Sequence, residues 1–407
     1  MIQNMLRKES SEGVGYSIVE LNGTRHVVVA AVPRQDGTLH EQAHDALQTI
    51  KAVMEEEGTL GSIVRQAVFV RDIEEIPTLR KIINDFYGDQ LPATIYIPQP
   101  PCGGKLLEIE ALGVGGKGEV EIQRHSERMV VSRHDGVAWV HLANVFPETS
   151  ATSVYDRSLD IFQRTADGLA VRGFSYEQVI RTWLYLGDIV GPEGETQRYK
   201  ELNRARTDFY ENIRFSTHLT PRGWNGAFYP ASTGIGTNGK DVVMSSMALV
   251  TYRNDLTVVP LENPQQTSAF DYGRKFGRKS PKFARAMAIA SRDLATIFVS
   301  GTASITEAET RFVGDVEGQT GQTLDNIAAL ISADNLRQHK LSGLGATLKD
   351  MSLVRVYIKR QEDYTKTRAV CEARLGEVPT IYAVADVCRP ELLVEIEGIA
   401  FAYPNVC

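Results

Sequence analysis

The chain contains little cysteine, no long apolar run and no excess of positive charge. Its four cysteines, Cys102, Cys371, Cys388 and Cys407, form no Cys-x-x-Cys pair. We therefore expect reduced thiols rather than a disulfide framework or a zinc site. No apolar run approaches the roughly 20 residues that cross a membrane, and the first ten residues lack the apolar core of a signal peptide. We expect a cytoplasmic protein.

The charge balance narrows the possible partners. The 44 basic residues are outnumbered by 51 acidic ones, which gives a formal net charge of -7. This balance argues against a surface for nucleic acid or anionic membranes, so an anionic substrate would have to be held by locally placed arginines. At 407 residues, of which 43% are hydrophobic, the chain is long enough for two or three domains.

The hydrophobic pattern repeats along the chain. The first block predicts, in order, strand 27–32, helix 39–57, strand 63–70, helix 76–87 and strands 94–97 and 106–112. A second block follows the same order between 137 and 250, and a third starts near Phe283. Such units pack against one another because each leaves a sheet face uncovered. We predict an α+β fold of three tandem repeats, 1–112, 113–253 and 254–407, arranged as a pseudo-trimer.

The polar segment 253–280 is too long to be structureless inside a compact protein. It places aromatic residues, among them Phe270, Tyr272 and Phe276, beside a basic cluster that includes Arg274 and Lys275. We expect this segment to wrap a surface or to close over a site.

The last predicted strand carries the strongest candidate for chemistry. From 392 to 397 apolar side chains alternate with Glu395 and Glu397, which is the period of a strand with two unlike faces. Glu395, with the thiol of Cys388 one short turn earlier, is placed like a general acid with a helper. The alternatives are a half-exposed edge strand and a buried, inert cysteine.

One metal-binding pattern also occurs. His40, Glu41 and His44 fit His-Glu-x-x-His, which on a helix places two imidazoles on one face for zinc. No third ligand follows at the expected spacing, and the same residues fill the first helix of the repeat. We therefore favour a structural role and expect neither a metal nor a cofactor.

Several stretches resemble the Rid/YjgF family of imine deaminases. These are Thr-Leu-His-Glu-Gln-Ala-His at 38–44, Gly-Gln-Thr-Gly-Gln-Thr-Leu-Asp at 318–325, and the strands Leu-Glu-Ile-Glu at 107–110 and Val-Glu-Ile-Glu at 394–397. The resemblance implies a chorismate mutase-like fold with sites in clefts between repeats. The arginine with which that family grips a carboxylate is replaced by Thr94, Ser232 and Thr380, which argues against ordinary imine deamination.

A narrower resemblance, from about residue 112 to the end, is to the chorismatases, which split chorismate and release pyruvate. It is carried by motifs that include Arg-Thr-Trp-Leu-Tyr-Leu-Gly-Asp at 181–188, Pro-Ala-Ser-Thr-Gly-Ile-Gly at 230–236, Pro-Lys-Phe-Ala-Arg-Ala at 281–286, Val-Ser-Gly-Thr-Ala-Ser at 299–304 and Val-Cys-Arg-Pro-Glu-Leu-Leu-Val-Glu-Ile-Glu at 387–397. It implies that Glu395 protonates the enolpyruvyl methylene. Gly301 and Cys388 favour the subtype that forms 3-hydroxybenzoate over the one that forms a dihydroxycyclohexadiene carboxylate.

The resemblance also implies substrate-binding residues. Chorismate carries two carboxylates, for which bidentate arginine is the natural partner, and we expect Arg206 and Arg368 to hold them. Tyr199 would add a hydroxyl contact, and the backbone of Ser300, Gly301 and Thr302 would offer N–H groups to the ring hydroxyl or to a carboxylate. The rival readings are a Rid-type enamine or imine hydrolase and a non-catalytic ligand-binding pseudo-trimer. Either a monomer or a small homo-oligomer fits the three repeats.

Overall fold

The computed structural model of the chain describes residues 6–21, 23–273 and 277–404. Arg274, Lys275, Phe276 and Cys407, named above, lie outside the described residues. Three large sheets succeed one another along the chain, and each has its helices packed on one face. We call the three sheets, with their helices, the first, middle and third units. The fold is α+β, as predicted.

The first unit consists of β1 (Leu6–Ser11), β2 (Val14–Leu21), β3 (Thr24–Ala31), α1 (Leu39–Glu56), β4 (Ile63–Val70), α2 (Ile76–Tyr87), β5 (Ala93–Ile97) and β6 (Leu107–Gly116). Its sheet has the order β1-β2-β3-β6-β4-β5, and β4 and β5 are parallel. Helix α1 begins at a capping box in which Thr38 and Glu41 bond each other's backbone N–H groups. The carboxylate of Glu41 therefore accepts a hydrogen bond from the backbone N–H of Thr38 at the start of the helix. In the described part of the chain, no three or more potential metal ligands form a group.

The middle unit consists of β7 (Glu121–Ser126), β8 (Met129–His134), β9 (Val137–Val145), α3 (Val154–Ala170), β10 (Val179–Gly187), the short pair β11 (Pro192–Glu193) and β12 (Thr196–Gln197), α4 (Arg198–Tyr210), β13 (Ala231–Thr237) and β14 (Val242–Thr251). Its sheet has the order β13-β10-β14-β9-β8-β7. Ser153 caps α3 by accepting a hydrogen bond from the backbone N–H of Asp156.

The third unit consists of β15 (Thr257–Leu261), β16 (Ala286–Ala290), β17 (Ala295–Ala303), the pair β18 (Ile305–Thr306) and β19 (Glu309–Thr310), α5 (Val316–Ile331), α6 (Ala333–Gln338), β20 (Leu344–Gly345), β21 (Met351–Ile358), α7 (Tyr364–Leu375), β22 (Thr380–Val384) and β23 (Val394–Pro404). Its sheet has the order β15-β16-β17-β23-β21-β22, with β20 paired to β23. Because β23 lies between β17 and β21, the edge-strand interpretation of 392–397 is wrong. Strand β6 continues to Gly116, across the boundary predicted at 112; the domain boundaries stay predictions.

The helix-free faces of the three sheets meet in a central hydrophobic core to which all three units contribute. Within it lies a buried charge cluster of Arg65, Arg181, Arg355, Glu110 and Glu397. Arg355 binds Glu110 at 2.5 Å and Glu397 at 3.1 Å, and Arg65 binds Glu110 at 2.9 Å. Buried charges are tolerated only when they are paired in this way. The cluster therefore ties the three units together at their junction.

A small cavity of about 50 Å³ lies at the same junction and is lined by three histidines, His26, His134 and His141. The rings of His26 and His134 meet edge to face, with their centroids 4.9 Å apart. Burial lowers the pKa of His134 to about 4 and that of His141 to about 3. Both side chains are therefore neutral in the folded protein.

The pKa of His141 predicts a pH-dependent stability difference. The unfolded chain binds a proton at this histidine near pH 6.5 and the folded chain does not. The free energy of unfolding therefore decreases as the pH falls below about 6.5. The stability of a His141→Asn variant, relative to the unmodified protein, should rise by about 2 kcal/mol between about pH 7.5 and about pH 5. Urea unfolding at both pH values measures it, with the exposed His44→Asn as matched control. A difference that does not change with pH would contradict the neutral state of His141.

In the ranges that the structure describes, no helix is both long and apolar enough to cross a membrane.

Candidate active site

A cavity of about 220 Å³ lies between the middle and third units. We call it the first cavity. The middle unit contributes residues of α4 and β13, and the third unit contributes β17, β23 and the loops before β16 and β23. Its lining residues are Gln197, Tyr199, Lys200, Asn203, Arg206, Ser232, Gly234, Tyr272, Pro281, Phe283, Arg285, Gly301, Ala303, Ile305, Cys388, Arg389, Pro390, Glu391 and Glu395. Both predicted catalytic residues are among them.

Glu395 lies near the start of β23, and only 4% of its surface is exposed. Burial, and next the negative charge of Glu397, raise its pKa to about 8, although Arg181 and Arg285 act in the opposite direction. No described residue donates a hydrogen bond to its side chain. Glu395 is therefore largely protonated at neutral pH and lines the cavity as a neutral acid.

Glu397, two residues further along β23, has the opposite character. Burial opposes its ionisation, but the charges of Arg181 and Arg355 and hydrogen bonds from Thr233 and Tyr357 together lower its pKa. It is therefore a fixed carboxylate beside a protonated one. The two glutamates therefore have different pKa values because their surroundings differ. Such a pair is typical of sites in which one carboxyl group serves as a general acid.

Gly301 lies against Glu395 because of an irregularity in the sheet. The pairing of β17 with β23 shifts register between Val299 and Thr302, which is a β-bulge. A Cβ atom at Gly301 would come within 2.0 Å of Glu395 Oε1. Only glycine therefore leaves the carboxyl group in its present position.

The backbone N–H groups of Ser300 and Gly301 are already used within the protein. Gly301 N–H donates to Thr233 Oγ1 at 2.9 Å, and Ser300 N–H donates to the Arg285 carbonyl oxygen at 3.0 Å. Thr302 does not line the cavity; it is buried, and its hydroxyl donates to the Ser300 carbonyl at 2.9 Å. Neither Gly301 nor Ser300 thus has a backbone N–H left for a ligand.

Two buried arginines reach the cavity, one from each unit. Arg206 donates through Nη1 to Ser232 Oγ at 3.1 Å and through Nη2 to Asn203 Oδ1. Arg285, the residue before β16, donates through Nη2 to the Thr267 carbonyl at 2.9 Å and to the Tyr272 hydroxyl at 2.7 Å. Within the described ranges, the Nε of each is buried without a hydrogen-bond partner.

The ring of Phe283 lies close to both arginines. The guanidinium carbon of Arg206 is 5.2 Å from its centroid and that of Arg285 is 5.4 Å from it. The cavity therefore has two cationic groups with an apolar ring close to both, which suits a ligand with two anionic groups on a ring.

Arg368 does not reach this cavity. It lies on α7, about half of its side chain is exposed, and its Nε donates to Glu372 at 2.7 Å. It lines a different cavity, between the third and first units. Arg285, in the motif 281–286, lies in the first cavity where Arg368 was expected. The sequence feature that could have identified Arg285 is its place directly before a strand, in a motif shared with chorismatases.

Tyr199 and Cys388 both line the first cavity in their neutral forms. Burial raises the pKa of the Tyr199 hydroxyl, and burial followed by the charge of Glu395 raises the pKa of the Cys388 thiol to about 12. Cys388 is therefore a thiol and not a thiolate nucleophile. Tyr272, from the segment 253–280, also lines the cavity, in line with the expectation that this segment closes over a site.

Comparisons with known proteins agree with this architecture. A family model described as Endoribonuclease L-PSP matches residues 20–114 and 282–402, more than half of the chain. A crystal structure of a chorismatase superposes with a TM-score of 0.64 at 22% identity, covering 84% of this chain and 93% of that one. At that identity the superposition shows a shared fold.

Sequence relatives are more specific. A 3-hydroxybenzoate synthase of Streptomyces hygroscopicus is 35% identical over 232 residues, covering 56% of this chain and 64% of that protein. The alignment thus spans just under two thirds of that relative. A chorismatase of Streptomyces rapamycinicus is 31% identical, covering 65% of this chain and 77% of the relative, and one of Streptomyces hygroscopicus is 32% identical, covering 68% and 77%. The chain belongs to the chorismatase family, within the wider Rid/YjgF family that the Endoribonuclease L-PSP model describes.

Proposed function

We propose that the chain cleaves chorismate to pyruvate and 3-hydroxybenzoate in the first cavity. The observation that carries this proposal is the neutral, buried carboxyl group of Glu395 in a cavity that also holds two buried arginines, Arg206 and Arg285. The names of the relatives support the choice of chorismate, because two are chorismatases and one is a 3-hydroxybenzoate synthase.

Glu395 supplies the proton that begins the reaction. Its carboxyl group protonates the methylene of the enolpyruvyl group, and positive charge develops at the carbon that carries the ether oxygen. The resulting Glu395 carboxylate lies close to this charge and stabilises it. Pyruvate and 3-hydroxybenzoate together contain every atom of chorismate, so the overall reaction consumes neither water nor an oxidant.

Arg206 and Arg285 each hold one carboxylate of chorismate. Each has a buried Nε–H without a protein partner in the described ranges, so a carboxylate oxygen there satisfies a donor whose burial is otherwise costly. Phe283, close to both guanidinium groups, supplies an apolar face for the ring. The hydroxyl group of Tyr199 donates a hydrogen bond to the substrate.

Gly301 and Cys388 direct the reaction toward the aromatic product. Glycine leaves room for the ring's own hydroxyl to attack the neighbouring ring carbon, whose bond to the ether oxygen breaks as pyruvate leaves. The Cys388 thiol assists the proton transfers that then make the ring aromatic. Formation of the aromatic ring makes the overall reaction favourable. Cys388 acts here as a neutral hydrogen-bonding group, as its raised pKa requires.

The test is to incubate the purified protein with chorismate without added metal, measure pyruvate, and identify the ring product by chromatography. Equal amounts of pyruvate and 3-hydroxybenzoate are expected. Pyruvate with a dihydroxycyclohexadiene carboxylate would keep the proposed substrate and overturn the proposed product. An absence of pyruvate would overturn the proposal, and ammonia released from an imino acid would then favour a Rid-type hydrolase.

A Gly301→Ala variant is expected to lose activity while keeping its fold. The new methyl group would meet Glu395 Oε1 at 2.0 Å, so the flexible end of the acid has to move away from the substrate. Misplacement of a catalytic group by about 1 Å costs about 10²-fold in rate, and pyruvate release should fall by about that factor. Gly321→Ala in α5 is the matched control, because nothing lies within 4 Å of a Cβ atom there. Unchanged turnover in Gly301→Ala would contradict the assigned position of the acid.

The cytoplasmic location and the monomeric or small-oligomer state stay predictions. Size-exclusion chromatography with light scattering measures the oligomeric state directly.

A further inference from the structure

A second cavity, of about 670 Å³, lies between the third and first units. We call it the second cavity. It is lined by β1, β2 and β6 of the first unit and by α7 and β22 of the third unit. No residue of the proposed reaction lies in it, so a function in chorismate cleavage does not account for it.

The second cavity repeats the construction of the first. Glu108 in Leu-Glu-Ile-Glu on β6 has the place that Glu395 has in Val-Glu-Ile-Glu on β23. A tyrosine begins the facing helix in both, Tyr199 near the start of α4 and Tyr364 at the start of α7. The rings of Tyr364 and Tyr382 meet edge to face, with their centroids 5.4 Å apart, and form an aromatic wall of the second cavity.

Glu108 is a buried polar group that lacks a full set of partners. It is 4% exposed, and its Oε2 has no hydrogen-bond partner among the described residues. Burial raises its pKa to about 8, against the lowering effect of the Tyr382 backbone amide. A neutral carboxyl group with an unused hydrogen-bonding atom is costly to bury, and an oxygen atom of a ligand would remove that cost.

Arg368 supplies a cation at the same cavity. About half of its side chain is exposed, and it pairs with Glu372 four residues later at 2.7 Å and with the Tyr364 hydroxyl at 3.4 Å. Exposed pairs of this spacing contribute little to stability, so Arg368 can exchange Glu372 for the carboxylate of a ligand.

The other charges around the second cavity limit the charge of its ligand. The lining includes the carboxylates Glu9, Glu12, Glu372 and Glu377, against the cations Lys8, Arg34 and Arg368. Arg34 is already held by Asp45, which bonds both its backbone and its side chain. A ligand with one carboxylate therefore suits this cavity better than a dianion such as chorismate.

We propose that the second cavity is a separate binding site for a small organic monocarboxylate that carries a second oxygen atom. Arg368 binds the carboxylate, Glu108 donates a hydrogen bond to the second oxygen, and Tyr364 and Tyr382 contact the apolar part. Pyruvate and 3-hydroxybenzoate both have this chemistry. The site does not require that the first cavity turns chorismate over.

Hydrogen–deuterium exchange resolved by peptide separates the two cavities. Peptides from α7, Tyr364–Leu375, report on the second cavity, and peptides from α4, Arg198–Tyr210, report on the first. Pyruvate and 3-hydroxybenzoate are added separately at millimolar concentration. At least one of them should slow exchange in α7, and which one does so distinguishes a small oxo acid from an aromatic hydroxy acid.

Variants assign the protection to the named side chains. Arg368→Ala should abolish the protection of α7 or weaken binding at least about tenfold, the effect of losing about 1.4 kcal/mol. Arg374→Ala is the matched control, because Arg374 lies on the same helix, pairs with Asp325 at 2.7 Å and does not line the cavity. Glu108→Gln, which keeps a donor, should retain binding, and Glu108→Leu should lose it. Protection of α4 without α7, or protection of α7 that survives Arg368→Ala, would overturn the proposal.

Discussion

Pyruvate release from chorismate is expected to fall by about 10²–10⁴-fold when Glu395 is replaced by glutamine, the usual contribution of a positioned general acid. The amide fills the same space but has no proton that it can transfer. Because Glu395 is neutral and buried in the folded protein, glutamine should preserve the fold and the shape of the first cavity. Initial rates of pyruvate formation at saturating chorismate measure the loss in kcat.

Glu201→Gln is the matched control for this substitution. Glu201 is a mostly buried carboxylate on α4, the helix that carries Tyr199 and Arg206, but its side chain pairs with Arg204 and does not line the cavity. Its turnover should be close to that of the unmodified protein. Full turnover in Glu395→Gln, with both variants folded, would remove Glu395 from the role of acid.

Replacing Glu397 by glutamine is expected to lower the free energy of unfolding by about 3–5 kcal/mol, the usual cost of removing one partner from a buried ion pair. The Glu397 carboxylate accepts hydrogen bonds from five buried side chains of the middle and third units. They are Arg181, Trp183, Thr233, Arg355 and Tyr357. A glutamine in the same place presents an NH₂ group to donors and leaves Arg181 without a carboxylate.

Urea unfolding of Glu397→Gln measures this loss, and Asp325→Asn is its control. Asp325 forms an exposed pair with Arg374 at 2.7 Å, and exposed pairs contribute about 0–1 kcal/mol. A loss below about 1 kcal/mol in Glu397→Gln would contradict a structural role for the central charge cluster. The variant should also lower the pKa of Glu395, because the charge of Glu397 is the second cause of its increase.

The sequence predicts the helices and strands within each unit better than it predicts which residues of the other units contact them. Helices 39–57 and 76–87 were predicted within one residue of α1 and α2, because apolar spacing is a local signal. Strands β1 and β7 were missed, since neither contains a fully buried side chain and neither shows apolar alternation. The α+β fold and the resemblance to chorismatases are confirmed.

The position of β23 shows why local patterns have a limit. Its alternating carboxylates are those of an edge strand facing water, but β23 is central and both glutamates are buried. Water around the Glu397 carboxylate is replaced by side chains that are far away in sequence, such as Arg181 in the middle unit. No pattern within 392–397 contains this information.

The arginines expected to bind the carboxylates show the same limit. Arg206 and Arg368 lie on corresponding helices of two units, so the sequence predicted them as a pair. In the structure each helix faces a different neighbouring unit, and the two arginines lie in different cavities. Arg285 completes the first cavity because the loop before β16 crosses to the middle unit. The pairing of Arg206 with Arg285 stays a proposal until chorismate binding is measured in variants of each.

The most direct test of the central claim, that a protonated Glu395 starts the cleavage of chorismate, is the pH dependence of kcat for pyruvate release. In the proposed mechanism the protonated form of Glu395 is the active one, and burial together with the charge of Glu397 raises its pKa to about 8. The account predicts a constant rate below about pH 7 and a fall of about tenfold per pH unit above about pH 8. A rate that is flat or rising between about pH 6 and pH 9.5, in a protein that stays folded throughout, would contradict it.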